Sequence, residues 1–266
     1  MQNKRNVLVT GAAARLGKVL SRSFANNGWR VFCHYHKSQE EAENLVAELV
    51  NSGHEAVALQ SDLSSENGCI GLMSKLKGHV DKLDCLINNA SSFDPDSAST
   101  FDSTHALRQL QMNLIAPLTL ARLMTQTLTP ENSSISSCII NILDQKVFNT
   151  NPDYFTYTVG KLALERATAV QAQALAPKIR VCAVAPGLMY LSGPQTLENF
   201  DYASRANLLR RPTDPDDVAR TCLFLASTAS ITGITITVDN GQHLVPLPRD
   251  IMFVVGDFLA GLKHET

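Results

Sequence analysis

Along this chain, short runs that are apolar throughout alternate with longer stretches of helical pattern. The short runs are Asn6–Thr10, Arg30–Cys33, Ala56–Gln60, Cys85–Asn88, Cys138–Leu143, Arg180–Ala185 and Ile234–Asp239. Their apolar residues are consecutive, not alternating, which predicts strands covered on both faces. The longer stretches predict helices over Arg15–Asn26, Gln39–Asn51, Glu66–Lys77, Thr104–Leu128, Phe155–Ala176 and Pro215–Ser227. Alternation of this kind predicts an α/β fold, a doubly wound parallel sheet of about seven strands with helices on both faces. In such sheets ligands bind at the carboxyl ends of the strands.

Composition narrows the class without naming a function. The chain has 266 residues, 44% of them hydrophobic and 18% charged, enough for one large core. A net charge of −2 and no Lys/Arg stripe argue against a nucleic-acid partner. Met1–Val7 leads straight into an apolar run without a signal-peptide core, and no stretch approaches the ~20 apolar residues of a membrane span. A cytoplasmic protein is therefore expected. Six cysteines form no C-x-x-C pair, and Cys33, Cys85, Cys138 and Cys182 sit inside strand runs, as buried thiols do. His34, His36 and His243 are not spaced as metal ligands, and no metal is expected.

The first strand runs into Thr10-Gly-Ala-Ala-Ala-Arg-Leu-Gly17, a turn of small residues opening a helix. Such a turn lets backbone N–H groups and the helix N-terminus approach a pyrophosphate, as in a Rossmann-type dinucleotide site. An NTPase phosphate loop does not fit, because five residues separate Gly11 from Gly17 and Val19 follows Lys18. The second strand ends at His36-Lys37-Ser38 with no carboxylate before Glu40. A cation and a hydroxyl there suit the 2′-phosphate of NADPH better than the ribose of NAD.

Tyr157 and Lys161 stand four apart on one helix face, close enough to interact. A free phenol titrates near ~10, and an adjacent ammonium, helped by bound cofactor charge, is expected to lower that value.

With the strand–helix order, these strings resemble the short-chain dehydrogenase/reductase family over nearly the whole chain. The matches are Thr10-Gly11-x-x-x-Arg15-x-Gly17, Asp62-Leu63, Asn88-Asn89-Ala90, Asn113, Tyr157-x-x-x-Lys161 and Pro186-Gly187. Two departures narrow the resemblance: Arg15 replaces the middle glycine, and Asp144 stands where most members carry serine. Both departures, with His34–Ser38 and Asn89–Phe93, are similar to the pteridine reductases of that family, including the bacterial dihydropterin type. The resemblance implies NADPH held by Gly11, Arg15, Leu16, Gly17, His36, Lys37, Ser38, Asp62, Leu63, Asn89, Ala90, Ser91, Lys161, Pro186 and Gly187. It implies Tyr157 as proton donor, Lys161 holding the ribose and tuning the phenol, Asn113 in a water relay, Asp62 at the adenine and Asn88 under the central strand. It also implies a pterin bound by Arg15, Ser91 and Phe93, with Phe93 stacked opposite the nicotinamide.

Asp144 then has a chemical reason. A pterin C=N bond that takes hydride at carbon needs a proton at the adjacent nitrogen, and a buried carboxyl can hold that proton and share it with Tyr157. A carbonyl needs only a hydrogen bond, which serine supplies, so a short-chain reductase of ketones is the alternative. A non-catalytic NADP-sensing module is the third reading, with no use for an acid. The resemblance places a substrate-covering loop over 188–211, bounds the reductase domain at 1–245 and leaves 246–266 as an extension. That extension is apolar, and packing at the interface of a homotetramer is expected for it.

Overall fold

The computed structural model describes residues 4–127, 137–193 and 195–264. Seven strands form one parallel sheet in the order β3-β2-β1-β4-β5-β6-β7. They are β1 Asn6–Val9, β2 Arg30–Tyr35, β3 Ala56–Gln60, β4 Cys85–Asn88, β5 Ser137–Ile142, β6 Ile179–Pro186 and β7 Thr235–Val238. The chain reverses its direction of travel across the sheet between β1 and β4, which is where a doubly wound fold opens a ligand crevice.

Consecutive apolar residues serve two cores. Val7, Val9, Cys85, Ile87, Cys138 and Ile140 point to one face, where α1 (Arg15–Asn26) and α8 (Pro215–Ser227) pack through Leu20, Phe24, Cys222 and Leu225. Leu8, Leu86 and Ile139 point to the other, against α3 (Glu66–Lys77) and α5 (Ala116–Thr125) through Leu72, Leu76, Leu120 and Met124. Burial on both faces is why these strands read as unbroken apolar runs. The six cysteines are free and buried.

Three elements differ from the expectation. The helix expected over Thr104–Leu128 is α4 (Ser103–Leu110), a π-helical turn (Gln111–Ile115) and α5; Leu128 lies outside the described residues. A π turn inserts one residue per turn, which periodicity over so short a span does not register. The 188–211 loop contains α7 (Leu197–Ala203), and the C-terminal segment is α9 (Ile251–His264). The remaining helices are α2 (Gln39–Asn51) and α6 (Phe155–Leu175). Helix α9 packs on α7, with Ile251, Met252 and Val255 buried against its own chain.

Candidate active site

The carboxyl ends of β1, β4, β5 and β6 open into one cleft of about 680 Å³. At one end lies the turn between β1 and α1. Gly11 adopts φ 63, a left-handed backbone that glycine takes without strain. A Cβ at Gly17 would lie 2.0 Å from the Gly11 carbonyl oxygen, so only glycine fits there. Helix α1 starts with no side-chain cap, and its first residues Arg15, Leu16 and Gly17 line the cleft. Unpaired N–H groups at a helix start, with room for close approach, fit a pyrophosphate.

The neighbouring loops are tied to this turn. The Thr10 hydroxyl accepts from the N–H groups of Asn89 (2.9 Å) and Ala90 (3.0 Å), and Asn89 Nδ2 donates to the carbonyls of Thr10 and Gly11. Gly11 N–H donates to His34 Nδ1 at 3.1 Å, which makes Nε2 the protonated nitrogen facing the Ser61 carbonyl at 3.2 Å. Burial pushes the His34 imidazole down to about 4, so the ring works here as a neutral bridge.

Arg15 adopts φ 49, which costs a non-glycine residue about 1–2 kcal/mol. Its guanidinium crosses the cleft mouth to donate to the Leu191 carbonyl at 2.9 Å. His36 lines the cleft, 3.6 Å from Asp62 Oδ2, while Lys37, Ser38 and Asp62 stand outside the lining at its rim. Leu63, Asn89, Ala90, Ser91, Phe93, Pro186 and Gly187 all line it.

The other end is built from buried charge. Tyr157 and Lys161, on α6, are 6% and 3% exposed. The Tyr157 hydroxyl donates to Asp144 Oδ2 at 3.0 Å, and Asp144 Oδ1 accepts from the Lys146 N–H at 2.9 Å. Burial is the main cause that raises the Asp144 carboxyl above the usual carboxylate range, against the backbone bond and the Lys146 cation. Lys161 donates to the Ile142 carbonyl at 2.8 Å, and burial lowers its ammonium to about 8. Its nitrogen lies 5.7 Å from the Tyr157 ring centroid, while burial and the Asp144 carboxylate raise the phenol well above its ordinary value. The Tyr157 phenol is a neutral hydrogen-bond donor here.

Phe93 stacks on Tyr154 at 3.9 Å between centroids and meets Tyr157 edge-on at 4.7 Å. Asn113 sits in the π turn, 1% exposed, outside the cleft lining. Its Nδ2 donates to the Ser92 carbonyl at 2.9 Å, and its Oδ1 is buried with no partner among the described residues. Asn88 bonds Asn141 at 2.8 Å, and Asn141 bonds Thr168 of α6 at 3.0 Å, fastening that helix to the sheet. Within 188–211, Met189, Tyr190 and Ser192 line the cleft, whereas Tyr202 is exposed.

Several cleft residues escaped the motifs. His34, given no site role by the motifs, bridges the first turn to the end of β3. Lys146, Asp250 and Ile251 also line the cleft. Two of those three come from the C-terminal segment, and nothing in their spacing points back to Asp144.

A turn fit for phosphate at the switch point of the sheet, with a buried hydroxyl donor at the other end of the same cleft, defines a dinucleotide-dependent oxidoreductase. Residues 11–243 match the family described as enoyl-(acyl carrier protein) reductase. Pteridine reductase 1 of Leishmania tarentolae is 31% identical, covering 89% of this chain and 96% of that protein. Dihydromonapterin reductase of Klebsiella pneumoniae is 27% identical, covering 91% and 98%. The crystal structure of FolM alternative dihydrofolate reductase 1 from Brucella canis, complexed with NADP, superposes with a TM-score of 0.86 at 35% identity over 90% of this chain and 94% of that one. The chain belongs to the short-chain dehydrogenase/reductase family.

Proposed function

We propose that the chain is an NADPH-dependent reductase of a dihydropterin or dihydrofolate-like ring, with Tyr157 and Asp144 as proton donors. One observation carries this reading: the hydroxyl of Tyr157 is hydrogen-bonded to a carboxyl group, Asp144, inside the cleft. The names of its relatives and the NADP in its structural neighbours support the same substrate class and cofactor.

Bound NADPH would supply hydride from its nicotinamide C4. The α1 start and the Gly11–Gly17 turn fit the pyrophosphate, and His36, Lys37 and Ser38 would meet the 2′-phosphate at the rim. Ring nitrogen gains basicity as its neighbouring carbon is reduced, and Tyr157 would protonate it from Oη. Asp144 would supply a second proton from its carboxyl, whose neutral form burial favours. Lys161, with its ammonium near 8, can pass a proton inward near neutral pH. The unpartnered Oδ1 of Asn113 suits a water in the relay. Phe93 offers a flat apolar surface to the heterocycle.

The test follows NADPH absorbance with dihydrobiopterin, dihydromonapterin, dihydrofolate and a diketone. Turnover of at least one pterin is expected; turnover of the diketone alone would establish the carbonyl reductase instead. NADPH binding without any turnover would mark a sensing module. Asp144→Ser should lower pterin turnover by about 10²–10⁴-fold with diketone reduction and NADPH affinity kept.

We also propose a homotetramer in the cytoplasm, with 246–266 as an appendage of the reductase domain that serves the assembly. Leu197 and Tyr202 on α7 and Phe258 and Leu262 on α9 are exposed apolar side chains that a neighbouring subunit would cover. Six free thiols suit a reducing compartment. Sedimentation of a Phe258→Glu variant tests the assembly: an unchanged mass removes α9 from the interface.

A further inference from the structure

Lys146 is 2% exposed, and lysine is rarely buried unless paired. Its ammonium donates to Asp250 Oδ2 and Asn151 Oδ1, both at 2.9 Å, and lies 5.3 Å from the centroid of the Tyr154 ring. Asp250, 104 residues away, belongs to the segment that enters α9. Its Oδ1 accepts from the Met252 N–H at 3.1 Å, capping the first turn of that helix. Its own N–H donates to Asp153 Oδ2 at 2.8 Å. Asp250 and Ile251 line the same cleft as Asp144 and Tyr157. One ion pair thus ties the turn carrying Asp144, the ring stacked on Phe93 and the start of α9.

A buried ion pair adds little stability compared with apolar packing of the same volume, so its place beside the acid is the informative property. We propose that Lys146 and Asp250 are positioning residues for proton transfer: together they hold the start of α9 across the substrate end of the cleft and balance the charge facing Asp144. The inference rests on the pterin-reduction reading, because it takes Asp144 as a proton-holding group. The charged and titratable groups around Asp144 are Tyr157 and Lys161 on α6, Lys146 on its own turn and Asp250 from the C-terminal segment. The Lys146 cation favours the carboxylate of Asp144, and the Asp250 anion favours its protonated form. While both are present their effects oppose each other; when one is removed, the survivor acts alone.

The two disruptions therefore have opposite signs. Asp250→Asn leaves Lys146 uncompensated, Asp144 releases its proton more readily, and the alkaline limb of kcat moves down by about 1 pH unit. Lys146→Met leaves Asp250 uncompensated and moves that limb up by about 1 unit. Lys146→Arg restores the charge and returns the limb to its original position. A merely structural role would lower kcat in both disrupted variants without opposed shifts.

The experiment uses the full chain. The kcat for NADPH-dependent dihydrobiopterin reduction is measured across roughly pH 5–9 for the four proteins. Amide exchange over residues 251–264 is read in parallel without substrate. Opposed limb shifts, with exchange in the first turn of α9 accelerated about tenfold in the Asn and Met variants and restored in Arg, are the expected result. Limbs that stay in place or move together overturn the charge balance, and unchanged exchange overturns the anchoring. A wild-type protein that turns over neither dihydropterins nor dihydrofolate overturns the functional reading instead, and the exchange data then still decide whether the pair holds α9.

Discussion

At the cofactor end of the cleft the groups that meet a ligand are mostly backbone: the left-handed Gly11, the uncapped start of α1, and loops tied by Thr10 and Asn89. At the end proposed for proton transfer they are side chains withdrawn from water: Tyr157, Lys161 and Lys146, all under one-tenth exposed, around Asp144. A backbone site is sensitive to added atoms and tolerant of charge. A site of buried charge is sensitive to a single proton and tolerates changes that keep the charge. Each end should therefore fail in its own way.

The sharpest break is expected from Gly17→Ala. Its Cβ would meet the Gly11 carbonyl at 2.0 Å, and the turn must shift at a cost of about 3 kcal/mol. NADPH affinity should fall about a hundredfold, by the same free energy, in a fluorescence titration. The hydrogen bond from Tyr157 to Asp144 lies outside the altered turn.

His34 tests whether the cofactor end hides a charge-sensitive part. Its imidazole is held at about 4 against an ordinary 6.5, so the folded state resists protonation. Stability from this group is complete above 6.5 and is lost as pH falls towards 4, by up to about 3 kcal/mol. His34→Gln, an amide able to bridge the same two backbone groups, should flatten the slope of urea-unfolding free energy across that window. An unchanged slope would mean that the ring is protonated without breaking the bridge. The smallest effect is at the rim. Lys37→Ala should reduce the preference for NADPH over NADH about tenfold, the weight of one exposed charge-assisted bond.

The cofactor end was the more legible in sequence for the same physical reason. Backbone sites demand small residues at fixed offsets, and Gly11, Gly17, Asn89 and Ala90 are local strings. The strands were equally plain, because burial on both faces leaves unbroken apolar runs. The other end is assembled from Asp144, Tyr157, Phe93 and Asp250, far apart in the chain. Resemblance to a family supplied the first three, but Lys146 and Asp250 reveal nothing until the fold brings them to 2.9 Å. That burial raises the Tyr157 phenol was likewise out of reach, since it depends on surroundings that only the fold supplies. Helix α9 was seen only as apolar sequence, because its partners Asn199 and Ala203 come from another segment.

The π turn at Gln111–Ile115 has a consequence for how the chain tolerates change in length. A π turn holds one residue more than an α turn, so α5 leaves it rotated by roughly 100° relative to an unbroken helix. Deleting one residue between Ser103 and Thr125 lets the segment relax to plain α-helix, with either α5 or Asn113 forced out of register. Loops at the rim can gain or lose residues freely. This helix keeps a count, and Asn113 is where a miscount would show.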